Sequence, residues 1–149
     1  MDPTRSILLT DLYHLTMLQG YYEQEMDETA VFEIFVRKLP PGRGFLVAAG
    51  LEQLVDFLEQ ARFSDEDLAW LRASGRFSAD FVDSLAGWRF TGDLDAMAEG
   101  TVFFPDEPLA RVTAPMREAQ LVESRLINLL HLQTLIASKA VRSVLAAPG

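Results

Sequence analysis

Cysteine is absent from this chain of 149 residues, which excludes a disulfide framework, a thiolate nucleophile and any cysteine-ligated zinc or iron–sulfur centre. Positive charge is scarce as well. Thirteen Lys and Arg residues stand against 22 Asp and Glu residues, and the net charge of −9 leaves no basic surface for nucleic acid or for an anionic membrane. No apolar run is long enough for a signal peptide or a membrane span. We therefore expect a cytoplasmic protein.

The composition that is present is typical of a globular domain. Apolar residues make up 49% of the chain and charged residues 23%, and the length suits one ordinary domain with a substantial core. Internal repeats and low-complexity tracts are missing. Helical and strand-like periods both occur along the chain, which predicts an α+β fold.

The pattern predicts a series of helices and strands. Helices are expected from a cap at Thr10 or Asp11 to about residue 24, over 51–61, over 64–75 with a Ser64–Asp67 capping box, from Ser78, and from Pro115 in the first turn of a helix of about 30 residues. Strands are expected over 29–39, 45–50, 93–98, 101–104 and 108–113.

The last helix is apolar on most faces between Leu121 and Ile136, so we expect protein to bury it on several sides. The sequence then reaches "APG", a turn signal that ordinarily leads into a further element. We interpret the chain as part of a larger fold. Its predicted units are an N-terminal α/β domain over 1–114 and a long helix over 115–149.

The two histidines and one glutamate lie in apolar helical runs. His14 and His131 are each predicted to be core or interface imidazoles with satisfied hydrogen bonds, and they are too isolated to form a metal pair. Glu123 has apolar neighbours along the helix. We expect it to face elsewhere or to pair with a residue outside this chain.

The segment "RKLPPGRGF" gathers Arg37, Lys38 and Arg43 around a glycine-bearing turn. Its spacing matches neither a Walker motif nor a dinucleotide fingerprint. A basic hairpin loop is one interpretation. A phosphate contact is the other, because an acidic protein that binds an anion must concentrate its positive charge locally.

Tyr13 stands three residues beyond Thr10, in the first turn of its helix. A ring at this place can stack on a flat heteroaromatic ligand near the free backbone amides of the helix N-terminus. It can equally pack into the core, and spacing alone favours core packing.

Four segments carry a family resemblance: "LLTDLYHLTMLQGYY", "AVFEIFVRKLPPGRGFLVAAGLEQLVDFL", "EGTVFFPDEPLARVTAP" and the long helix. Together they resemble the N-terminal part of nicotinate phosphoribosyltransferase, in order and over essentially the whole chain. The T-D-x-Y-x-x-T-M opening and the E-G…F-P-x-E-P-L segment are the most specific parts. The T-D-x-Y element is shared, more distantly, with nicotinamide phosphoribosyltransferase.

The resemblance implies a fold and an activity. The fold is the N-terminal α/β domain of a type II phosphoribosyltransferase, leading by the long helix into an irregular α/β barrel that this chain lacks. The activity joins nicotinate to phosphoribosyl pyrophosphate, giving nicotinate mononucleotide and pyrophosphate in NAD biosynthesis, with Mg²⁺ and with ATP hydrolysis as an assisting reaction. Head-to-tail homodimers place composite active sites at the subunit interface.

The resemblance also implies site residues. Tyr13 would stack on the pyridine ring bound in the neighbouring subunit, Asp11 would lie at the ribose or magnesium side, and Arg37 would contact a phosphate. The phosphorylated histidine and the phosphate loops of the family lie downstream. We therefore expect no catalytic residue in this chain, no role for His14 or His131 as a phosphohistidine, and no activity from the chain alone.

Two other interpretations stay open. The chain can be a stand-alone association module without catalysis, or it can belong to a phosphoribosyltransferase for another pyridine, nicotinamide or quinolinate. Quinolinate carries a second carboxylate and calls for extra basic side chains, which the N-terminal helix does not supply.

Overall fold

The computed structural model of the chain describes residues 6–147, and Pro148 and Gly149 of the predicted turn signal lie outside this range. The helices are α1 (Leu12–Glu23), α2 (Leu51–Gln60), α3 (Asp65–Ala73), α4 (Ala79–Ser84) and α5 (Met116–Ala146). The strands are β1 (Thr29–Phe35), β2 (Leu46–Val47), β3 (Asp93–Ala96), β4 (Val102–Phe103) and β5 (Pro108–Pro115). The mixture of helices and strands confirms the predicted α+β class.

The main sheet has three antiparallel strands in the order β1-β5-β3. Side chains of β1 alternate between exposed and half-buried, as the sequence pattern predicts. Glu33 stands opposite Arg111 of β5, and their side chains form an ion pair across the strands. The strand ends at Phe35 and not at residue 39, because its partner begins opposite it at Pro108 and the register shifts just before Phe35.

The second sheet pairs only β2 with β4. The predicted strand over 45–50 is reduced to two residues because backbone amides of this segment donate hydrogen bonds to side chains of α5. The amide of Val47 donates to the Ser138 hydroxyl at 2.9 Å, and the amide of Ala49 donates to the Thr134 hydroxyl at 3.3 Å. Both hydroxyls belong to α5, so this long helix is held to the sheet by hydrogen bonds as well as by apolar contacts.

The three shorter helices form as predicted. The capping box at α3 is present, with Ser64 and Asp67 each accepting from the other's backbone amide. At α2 the N-cap is Gly50, which has no side chain to cap with, and the carboxylate of Glu99 takes that role. It accepts from the amides of Gly50 at 2.9 Å and Leu51 at 2.6 Å.

Replacing Glu99 with alanine is expected to lower the free energy of unfolding by about 1 kcal/mol, because the first amides of α2 lose their acceptor and the helix dipole loses its counter-charge. Glu99→Gln keeps an acceptor oxygen and should lose less. Urea denaturation of both variants measures the difference. An alanine variant as stable as the wild type would show that Glu99 does not cap α2.

The long helix α5 follows β5 directly, with Pro115 at the N-cap and not in the first turn. One face of α5 packs on α1, α2, β1, β2 and β5. Residues 6–147 do not cover the whole helix, and the expectation that protein buries it on several sides stays a prediction. Ile127, Leu132 and Ile136 are exposed. None of the helices within residues 6–147 is long and apolar enough to cross a membrane.

Candidate functional site at the start of α1

The first turn of α1 begins at Asp11, which holds the N-cap position with extended backbone (φ −75°, ψ 146°). Its carbonyl accepts a hydrogen bond from the amide of His14 at 3.0 Å. The carboxylate is exposed and makes no capping hydrogen bond, although the helix dipole favours a negative charge here. Asp11 therefore keeps its carboxylate oxygens available to a ligand.

Tyr13 follows in the same turn, and its side chain is 52% exposed. Its ring lies against the ring of His14, with centroids 4.1 Å apart and planes inclined by 32°. The core packing that spacing alone favoured is therefore wrong. The Tyr13 ring rests on a buried neighbour and leaves about half of its surface open.

His14 is fully buried, with 0% of its surface exposed. Its Nδ1 lies 2.6 Å from Nε2 of Gln120, and its Nε2 lies 2.7 Å from Oγ of Ser124. An amide nitrogen only donates, so Nδ1 accepts and Nε2 carries the proton that is donated to Ser124. The prediction of a core imidazole with satisfied hydrogen bonds is confirmed for His14.

A shallow pocket of about 320 Å³ opens between the start of α1 and α5, and we call it the α1 pocket. It is lined by Leu8, Leu9, Thr10, Asp11, Ser124 and Asn128. Its polar groups are hydroxyl, amide and carboxylate oxygens. The hydroxyl of Thr10 is buried and has no hydrogen-bond partner among the described residues. Such a lining suits a ligand that presents hydroxyl groups.

A larger cavity of about 500 Å³ lies between β1 and α5, and we call it the β1 cavity. Apolar side chains from β1, β5 and α5 form most of its wall. Its polar lining consists of Glu33, Arg37, Lys38, Glu123, His131 and Thr134. Concave sites with an apolar wall and a few convergent polar groups are typical of small-ligand binding.

The basic residues of the "RKLPPGRGF" turn divide between two environments. Arg37 and Lys38 are exposed and line the β1 cavity. Arg43 does not line it, and its Nη1 atom is buried without a hydrogen-bond partner among the described residues. His131 lines the same cavity and is exposed, so it is not a core residue of this chain, and the interface alternative stays a prediction.

The structure brings Asp11 and Tyr13 together but not Arg37. Asp11 and Tyr13 share one helical turn, and neither lines the β1 cavity that holds Arg37. The two cavities are separated by α5, where the consecutive residues Glu123 and Ser124 line the β1 cavity and the α1 pocket respectively. Within one chain, the three predicted site residues therefore belong to two places.

Sequence reasoning missed the polar residues of α5 that face α1. Gln120, Ser124 and Asn128 follow one another at intervals of four, which places them on one side of the helix. Gln120 and Ser124 form hydrogen bonds with His14. Ser124 and Asn128 line the α1 pocket. Three polar residues at intervals of four, in a helix that is largely apolar in this region, were the signal that could have indicated a polar contact with another element.

No group of three or more metal-ligating side chains lies together within residues 6–147. Mg²⁺ is commonly held by one or two carboxylates together with substrate phosphates, so an isolated aspartate still fits a shared site. Among the predicted site residues, Asp11 alone offers carboxylate oxygens to such an ion.

Comparison with known proteins decides the family. Residues 8–131 match the family model of the nicotinate phosphoribosyltransferase (NAPRTase) N-terminal domain. The chain belongs to the nicotinate phosphoribosyltransferase family. It is 56% identical over 142 residues to nicotinate phosphoribosyltransferase pncB2 of Mycobacterium tuberculosis, covering 95% of this chain and 31% of that protein. It is 45% identical over 136 residues to nicotinate phosphoribosyltransferase of Bacillus subtilis, covering 91% and 28%.

The fold agrees with the family. The crystal structure of human nicotinic acid phosphoribosyltransferase superposes with a TM-score of 0.87 at 34% identity, over 95% of this chain and 29% of that one. The chain thus spans about a third of the length of the NAPRTase relatives it matches. Tyr13, Asp11 and Arg37 all lie within the matched residues 8–131. The predicted division at residues 114 and 115 stays a prediction.

Proposed function

We propose that this chain is the N-terminal part of an enzyme that joins nicotinate to phosphoribosyl pyrophosphate. The pyridine nitrogen of nicotinate forms a bond to C1 of the ribose while the bond to pyrophosphate breaks, giving nicotinate mononucleotide and pyrophosphate. In a chain of this family, the observation that carries the proposal is the half-open ring of Tyr13 beside the oxygen-lined α1 pocket.

Tyr13 is proposed to stack on the pyridine ring. An offset stack of two aromatic rings contributes about 0.5–1.5 kcal/mol beyond surface burial, and it requires an open face on a ring that is itself held in place. The exposure of Tyr13 supplies the open face, and the contact with His14 supplies the support. Asp11, in the same helical turn and in the lining of the α1 pocket, is proposed to contact the ribose hydroxyls or Mg²⁺.

Arg37 is proposed to contact a phosphate group. It is an exposed guanidinium that lines a cavity in a protein of net charge −9, next to the second exposed cation Lys38, and a guanidinium is suited to bind phosphate oxygens. Arg37 lines the β1 cavity and Tyr13 does not, so the two residues belong to different places in one chain. This supports the proposal of a homodimer with composite active sites.

The cofactor proposals rest on the family resemblance. Mg²⁺ bound by Asp11 and substrate phosphates would neutralise the charge that develops on the departing pyrophosphate. ATP hydrolysis as an assisting reaction, the cytoplasmic location and the inactivity of the 149-residue chain by itself stay predictions. Helix α1 carries no Lys or Arg, and this favours nicotinate over the dianionic quinolinate.

Two variants of Tyr13 in the complete gene product test the proposal. Tyr13→Ala should raise the Michaelis constant for nicotinate by about tenfold, equivalent to about 1–2 kcal/mol, because the stacking partner is lost. Tyr13→Phe keeps the aromatic face and should change this constant only modestly. The melting temperature of both variants should stay close to that of the wild type, since half of the ring is already exposed.

The opposite pattern identifies a structural role. A buried aromatic ring costs about 3–5 kcal/mol of stability when it is truncated to alanine. A large drop in melting temperature for Tyr13→Ala, with an unchanged Michaelis constant for nicotinate, would therefore overturn the binding role. A wild-type protein that forms no nicotinate mononucleotide would overturn the proposed reaction itself.

A further inference from the structure

The buried contacts of α1 begin at His14. The two residues before it, Leu12 and Tyr13, are both exposed, and the apolar contacts of the helix with the core come from Leu15 and Leu18. His14 is therefore the first fully buried residue of α1, and its imidazole links the first turn to the rest of the molecule by hydrogen bonds. Hydrogen bonds are directional, so they set the rotation of this turn more closely than apolar contacts would.

Both hydrogen bonds of His14 go to α5. The amide of Gln120 lies at Nδ1 and the hydroxyl of Ser124 lies at Nε2, and these two residues are one helical turn apart. The imidazole is thus held at both ring nitrogens by side chains of a single helix. Gln120 is itself buried, so its amide is held in turn.

The two residues that hold His14, Gln120 and Ser124, also connect it to both cavities. Ser124 lines the α1 pocket together with Asp11, and the amide of Gln120 also lies 3.5 Å from the carboxylate of Glu123, which lines the β1 cavity. On its other side, the His14 ring supports the ring of Tyr13 at 4.1 Å. One buried side chain therefore contacts the ring proposed to bind the substrate and the helix that separates the two cavities.

We infer that His14 is a positioning residue for the pyridine substrate, acting through Tyr13, with Gln120 and Ser124 holding its ring. This inference rests on the proposed function. Because both ring nitrogens are buried and engaged, His14 offers neither an attacking nitrogen nor a transferable proton to a ligand. Its role is to fix the plane of the Tyr13 ring and the direction of the Asp11 turn.

The test compares two buried residues of α1 in the complete gene product. His14→Phe keeps a ring but removes both hydrogen bonds to α5. Leu15→Ala is the matched control, since Leu15 is equally buried in the same helix and only removes apolar packing. Both variants should lower the melting temperature. His14→Phe should also raise the Michaelis constant for nicotinate by about three- to tenfold, with a smaller effect on that for phosphoribosyl pyrophosphate. Leu15→Ala should leave both constants unchanged.

A double variant shows whether His14 acts through Tyr13. If it does, adding His14→Phe to Tyr13→Ala should raise the constant for nicotinate no further, because the ring being positioned is already gone. Multiplicative effects of the two changes would overturn the inference. So would a His14→Phe variant that loses stability but keeps the wild-type constant, as Leu15→Ala is expected to do.

A milder variant keeps the inference testable if His14→Phe does not fold. Ser124→Ala removes only the partner of Nε2 and should raise the nicotinate constant in the same direction but less, again only when Tyr13 is present. An unchanged constant for Ser124→Ala would count against the role of Ser124 in holding His14. If the wild type is active and the Michaelis constant for nicotinate is unchanged in the His14 and Ser124 variants, the positioning role alone is refuted. If the wild type is inactive, the proposed function is refuted and this inference with it.

Discussion

Replacing Gly50 with alanine is expected to lower the free energy of unfolding by about 2–5 kcal/mol. Gly50 stands at the N-cap of α2 with φ +104°, a backbone region in which a side chain is strained. Its missing side chain also makes room for α5. A Cβ atom at this position would lie 2.9 Å from the backbone oxygen of Leu129 and 3.1 Å from the side chain of Gln133.

The matched control is Gly75→Ala, which isolates the backbone strain from the collision. Gly75 also has a positive φ, +64°, but a Cβ atom there would have nothing within 4 Å. Its replacement should cost only the conformational strain of about 1–2 kcal/mol. Chemical denaturation of both variants measures the two losses. Equal losses would show that α2 and α5 are not in close contact at Gly50, contrary to the structure.

Most elements of the fold were predictable because local signals set them. The capping box fixed the start of α3, the period of two in β1 identified its exposed face, and Pro115 marked the passage from β5 into α5. The errors concern strand length. The ends of β1 and β2 depend on where β5 begins and on hydroxyl groups of α5 that lie more than 80 residues away, and no local pattern contains that information.

The candidate site was predictable in its residue types but not in its arrangement. Asp11, Tyr13 and Arg37 were found by their place in quoted motifs, and their roles as site residues stay predictions. That Tyr13 is open while its neighbour His14 is buried follows from how α1 rotates against α5. The buried His14 hydrogen-bonds to Gln120 and Ser124, which are more than 100 residues distant in sequence. The periodicity of a helix shows which residues share a face. Which of these faces is buried depends on the element that packs against the helix, here α5.

The exposed apolar residues raise a related question of which face is buried. Ile127, Leu132 and Ile136 of α5 are exposed in a chain that spans about a third of its relatives. All three belong to the same long helix, and contiguous exposed apolar residues often mark contact surfaces. Two neighbouring residues, one buried and one exposed within residues 6–147, can be replaced with alanine in the complete gene product. The two losses in free energy of unfolding then show whether the exposed residue is buried by protein outside residues 6–147. The pair Phe103 and Phe104 provides this comparison.

Phe103→Ala is expected to lower the free energy of unfolding by about 3–5 kcal/mol, whereas Phe104→Ala should lower it by no more than about 0.5 kcal/mol. Phe103 is 0% exposed in β4, directly opposite Leu46 of β2, so truncation of its ring leaves a cavity in the core. Phe104 is 49% exposed, and its backbone amide, which donates to Glu107, is kept in the alanine variant.

Urea denaturation of the complete gene product with each single change measures both values under the same conditions. Similar small losses for the two variants would mean that β4 does not place Phe103 in the core, and the pairing of β2 with β4 would be wrong. A loss for Phe104→Ala as large as that for Phe103→Ala would mean that Phe104 is buried in the complete gene product. It would place Phe104 in contact with protein beyond the residues described, because a ring that is half open here cannot lose that much free energy from its contacts within this chain.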